Sequence, residues 1–86
     1  MRIELDTEAN TLYLYIRDEI LDGEAVRTLE VEDGVYLDLD SENRPLGLEF
    51  VHADDFQDFL KRHGGRVRIP DVVENLESLR VSIAQG

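Results

Sequence analysis

Asp38, Asp40, Glu42 and Glu49 occupy positions 1, 3, 5 and 12 of the stretch DLDSENRPLGLE. This is the spacing at which an EF-hand loop presents oxygen ligands to calcium. Three features oppose a calcium loop. Position 6, where the backbone turns sharply and glycine is needed, is Asn43, and position 8 is Pro45. Both flanks, VYLDLD and LGLEFV, alternate apolar and polar residues as strands do, whereas an EF-hand needs a helix on each side. A hairpin turning at SENR explains the same residues. With Asp40 opposite Pro45, Leu39 faces Leu46, Leu37 faces Leu48 and Val35 faces Phe50 on the core side. Asp38 then faces Gly47, and Tyr36 faces Glu49, on the other.

Tyr13, Tyr15, Tyr36, Asp38, Gly47 and Glu49 are thereby expected on the sheet face opposite the aliphatic core. Gly47 removes a side chain from that face and so admits a close approach. The face reads as an interaction surface, and a second copy of the chain is the occupant expected on it, since exposed aromatic faces tend to be covered. The alternative is a cation or small-ligand site built on Asp38 and Glu49.

Other chemistry finds little footing. Gly64-Gly65 follows a helical pattern rather than a strand, so it reads as a helix stop and not a phosphate loop. The two histidines, His52 and His63, fall at a strand end and in a helix's last turn, where a cation suits the helix dipole. No catalytic, metal-ligating or cofactor-binding set is identified, and no cofactor is expected.

Strands and helices must position that face. RIEL, TLYLYIR, AVRTLEV, VYLDLD and LGLEFV, at residues 2–5, 11–17, 25–31, 35–40 and 46–51, read as five strands. DTEAN and EDG supply turn chemistry, and DEILDGE reads as a loop with an apolar plug at Ile20 and Leu21. From residue 53 the pattern becomes helical. Asp54 and Gln57 are spaced as a capping box, Phe56, Phe59 and Leu60 share one face, and Gly64 ends the helix. In the tail, Asp71 and Glu74 form a second such pair, and RVRI (66–69) reads as briefly extended. Residues 79–84 fit a strand and a continuing helix alike.

Charge and composition limit the partners. The chain has 86 residues, no cysteine and a net charge of −11. Residues 1–60 hold four basic and seventeen acidic side chains, against five and three in 61–86. Such an acidic body repels nucleic-acid phosphates and favours a basic protein partner. No apolar run approaches the roughly 18 residues that span a membrane. The charged N-terminal stretch reads as no export signal, so a cytoplasmic protein is expected.

DTEANTLYLYIR and GVYLDLDSENRPLGLEFVHAD also resemble the DUF2283 family, small bacterial domains of unknown function. Asp6, Asn10, Leu12, Tyr13 and Tyr15 fit its first block. Val35, Leu37, Asp38, Asp40, Gly47, Leu48 and Glu49 fit its second, with Asn43 or Arg44 standing where the family has a turn glycine. The resemblance covers about residues 1–53 and implies an antiparallel sheet without an established activity, with a hint of an antitoxin-like role.

The expected architecture is a single α+β domain. Residues 1–52 form a mostly antiparallel five-stranded meander, and residues 53–86 form an extension of one or two helices packed on one face. The expected function is a non-enzymatic, homodimeric protein-interaction module.

Overall fold

A computed structural model describes residues 1–85 of the chain. Alternating residues become β1 (Arg2–Asp6), β2 (Thr11–Tyr15), β3 (Arg27–Glu32), β4 (Val35–Leu39) and β5 (Pro45–Phe50). Two helices follow, α1 (Asp55–Arg62) and α2 (Leu76–Gln85). All neighbouring strands are antiparallel, in the order β1-β2-β5-β4-β3. The α+β class, the five strands and the two C-terminal helices are those expected from the sequence. The succession departs from a plain meander at one connection. The chain leaves β2, crosses to the far edge for β3, and returns so that β5 lies beside β2, a Greek-key arrangement.

The turns follow their residues. Asp6 Oδ1 accepts the amides of Glu8 and Ala9, each at 3.0 Å, and closes the β1–β2 turn, where Asn10 takes a φ of 56°. Gly34, at a φ of 77°, turns β3 into β4, and Asn43 takes the left-handed position (φ 62°) between β4 and β5. The β2–β3 loop differs from expectation. Leu21 is 60% exposed rather than a plug, and the loop is held by Glu24, which receives the Leu21 amide at 2.7 Å and pairs with Arg17.

The β4–β5 register matches expectation at Val35–Phe50, Tyr36–Glu49, Leu37–Leu48 and Asp38–Gly47. It then shifts, so that Leu39 faces Pro45 instead of Leu46. Leu46 is the extra residue of a bulge. Its carbonyl receives two amides, from Ile16 at 3.0 Å and Arg17 at 3.1 Å, so the bulge binds the end of β2 as well.

The core lies on one side of the sheet. The row Leu14–Leu48–Leu37–Leu29 and the row Leu12–Phe50–Val35 face the helices. Phe50 stacks edge-on against both Phe56 and Phe59 of α1, with centroids 5.2 Å apart in each pair. The capping box expected at Asp54 and Gln57 is not made. Asp54 already has helical backbone angles and makes no side-chain cap, and its carboxylate lies instead 3.5 Å from Asn10 Nδ2. The C-terminus is as expected. Gly65 N donates to Leu60 O at 2.7 Å and Gly64 N to Lys61 O at 3.1 Å, both glycines with positive φ, which is a Schellman closure.

The tail resolves as helix over residues 76–85, and 66–69 is not a strand. The cap of α2 is Asn75, whose Oδ1 accepts the Ser78 amide at 2.8 Å, rather than the earlier Asp71. Leu79 and Ile83 enter the core, and Val73 is anchored through its amide to Asn43 O at 2.8 Å. Phe50→Ala is expected to cost about 3–5 kcal/mol, a large share of the about 4–13 kcal/mol available to a domain of this size. Urea unfolding should register it as a lower midpoint with an unchanged slope.

Candidate functional site

The face away from the helices is built from the alternate residues of all five strands. One row across it reads Glu4, Tyr13, Glu49, Tyr36, Glu30, each directly opposite the next. The adjacent row reads Arg2, Tyr15, Gly47, Asp38, Thr28. All six residues expected on this face, Tyr13, Tyr15, Tyr36, Asp38, Gly47 and Glu49, therefore lie together on it.

Gly47 does admit a close approach, and what approaches is Tyr13 of the same chain. A Cβ built on Gly47 would fall 2.2 Å from Tyr13 Cε1 and 2.5 Å from its hydroxyl oxygen. The ring lies across β5 at the one point where a side chain is missing. Its hydroxyl donates to Asp38 Oδ2 on β4 at 2.8 Å, and the other oxygen, Oδ1, accepts the Thr28 hydroxyl on β3 at 2.6 Å. Asp38 thus uses both oxygens within the sheet and ties β2, β4 and β3 together over β5. Tyr15 packs edge-on against Tyr13 at 4.7 Å and carries the Arg2 guanidinium 4.1 Å above its ring.

The electrostatics follow from these contacts. Burial, and then the Asp38 carboxylate, push the Tyr13 hydroxyl well above its ordinary value. The Glu30 carboxylate beside Tyr36 also raises that phenol. Tyr13 therefore stays protonated and donates its hydrogen bond to Asp38. Glu4, Glu30 and Glu49 are exposed, and Glu49 stands opposite two tyrosines, Tyr13 and Tyr36. Arg2 is the one cation in the two rows.

The four acids of the calcium-loop spacing do not converge. Asp38 and Glu49 face outward in different rows, Glu42 is exposed in the turn, and Asp40 is buried beneath it. Among the described residues, no group of three or more ligating side chains forms a metal cluster.

Asp40, expected opposite Pro45 and as one of the four spaced acids, instead holds the turn from beneath. Its Oδ1 accepts the amides of Glu42 at 2.8 Å and Arg44 at 2.9 Å, while Oδ2 receives the guanidiniums of Arg17 at 2.9 Å and Arg44 at 3.0 Å. The Arg44 amide first, against the cost of burial, then the Glu42 amide and both guanidiniums, hold its carboxyl at about 2. An aspartate opening a turn was the available signal. Arg17 as its partner was not readable, because it sits 23 residues away. On the helix side, Glu32 contacts Arg62 at 2.8 Å and His63 at 2.5 Å, and these pull its carboxyl down more than burial raises it.

Residues 2–53 match the family described as "Protein of unknown function (DUF2283)". No curated protein and no solved structure matches the chain.

Two outcomes are expected. Gly47→Ala should lower the melting temperature, and the loss should shrink in a Tyr13→Ala background, since the added methyl then meets no ring. A thermal double-mutant cycle checks the coupling. The second concerns acid. Asp40 titrates lower in the folded chain than in the unfolded one, so its contribution is complete above about pH 4 and is lost as pH falls towards about 2. Urea midpoints followed from pH 5 to 2 should fall more steeply for the native chain than for Asp40→Asn.

Proposed function

The chain belongs to the DUF2283 family, and we propose that it is a non-enzymatic interaction module whose open sheet face receives a basic segment of a partner protein. The observation that carries this is the row Glu4–Tyr13–Glu49–Tyr36–Glu30. Carboxylates alternate with phenol rings across the whole width of the sheet, on the side that neither helix covers. Lysine and arginine side chains suit such a row twice over. Their charges pair with the glutamates, and their stems and cationic heads lie over the tyrosine faces. Arg2 above Tyr15 is an example of the second contact within the chain itself.

A second copy meeting this face squarely would set Glu4, Glu30 and Glu49 against their own kind, at a cost that like charges impose across any interface. The face therefore favours a basic partner over a symmetry mate. Tyr13, protonated and bound to Asp38, is not poised as a base, which supports recognition rather than catalysis. Restraint of a small basic protein, as an antitoxin restrains its target, is one use of such a surface.

Fluorescence anisotropy with a labelled arginine- and lysine-rich peptide tests the reading. Binding should weaken by about tenfold or more in the Glu30→Lys/Glu49→Lys variant and again as salt rises. A peptide that binds this variant as tightly as the native chain, or does not bind the native chain at all, overturns it.

A further inference from the structure

The two edges of the sheet are finished differently. At the β3 edge the register shifts between Glu30 and Glu32, and Arg80 of α2 donates from Nε to Val31 O and from Nη2 to Glu30 O, each at 3.2 Å. A bulge and a capping side chain are two of the devices by which proteins close an edge to further pairing. The β1 edge has neither. β1 pairs with β2 in unbroken register over five residues, and among the described residues its backbone bonds to no other strand. Ile3 and Leu5, on the helix side, are 52% and 53% exposed. Beside them an apolar groove of about 260 Å³ runs between Ile3, Ile16, Phe56, Leu60, Val67 and Ile69.

We propose that β1 is the docking edge for a second copy of this chain, paired antiparallel about a two-fold axis through Ile3. The sequence of β1 is complementary to itself in that register. Ile3 lies opposite Ile3 of the second copy, Arg2 opposite its Glu4, and Glu4 opposite its Arg2. An axis perpendicular to the sheet keeps each face on its own side. The isoleucines meet on the groove side, and the two charge pairs form on the outer side. The neighbouring register, centred on Glu4, would bring the two Glu4 carboxylates together, so charge selects the first. The result is a ten-stranded sheet in which the two acidic faces are continuous. This edge is distinct from the centre of the basic-peptide face, and its test leaves Glu30 and Glu49 untouched.

Sedimentation analysis of the full chain over a concentration series should find a dimer. Arg2→Glu and Glu4→Arg should each weaken it by about tenfold or more, and the double variant, which exchanges the charges, should restore it to within about threefold. The chain has no cysteine, which makes a second measurement independent of these charges. Under mild oxidation Ile3→Cys should form a disulfide-linked dimer in high yield, because the two residues face each other across the axis, while Val81→Cys on α2 should not. A native chain that is monomeric throughout, a dimer indifferent to the charge swap, or equal cross-linking of the two cysteine variants overturns the proposal. A monomer would leave β1 to the strand of a different protein.

Discussion

The seam between β2 and β5 holds the molecule together. Each of the other strand pairs is a local hairpin, formed by residues a few positions apart along the chain. This one joins residues 12–15 to residues 47–50, and closing so long a loop costs entropy that local contacts do not recover. The seam answers with contacts on both faces. Leu12 meets Phe50 and Leu14 meets Leu48 towards the helices, and Tyr13 crosses Gly47 to reach Asp38 on the other side. Backbone bonds fasten its two ends. Ala53 N reaches Asn10 O at one, and Leu46 O receives Ile16 and Arg17 at the other. Without the seam, the N-terminal hairpin would be a separate ribbon, too small to be stable alone.

How much of this was legible depended on range. Alternation along VYLDLD and LGLEFV placed four of the five β4–β5 pairs correctly, because a one-residue slip would have turned every leucine to the wrong side. It could not place the bulge at Leu46, which serves β2 and so depends on a neighbour that local sequence does not name. The tyrosine face was readable as a set of residues but not as a connected one. That Tyr13 fills the space at Gly47 follows from the β2–β5 register, which no pattern in either strand specifies. The helix stop at Gly64-Gly65 was evident, since a Schellman closure is built from its own residues. The capping box at Asp54 was not made, because the chain enters α1 through a tight turn at Ala53 that already gives Asp54 helical angles. Residues 79–84 had to be settled by packing, where Leu79 and Ile83 fall on the buried side of α2.

The family match ends at residue 53 and encloses the five strands, while both helices lie beyond it. Several residues of the resemblance now have structural parts. Asp6 and Asn10 shape the first turn, Asp40 organises the hairpin loop, and Gly47 makes room for Tyr13.

Arg80 gives the C-terminal helix a second part beyond covering the core. By occupying the Glu30 and Val31 carbonyls beside the bulge, it blunts the β3 edge while the β1 edge keeps its regular register. A sheet with two open edges can add copies indefinitely, the geometry of fibrils. One whose second edge is bulged and capped by a side chain is hindered from adding a further strand there. The helix that completes the fold thereby also works against extension of the strands on that side.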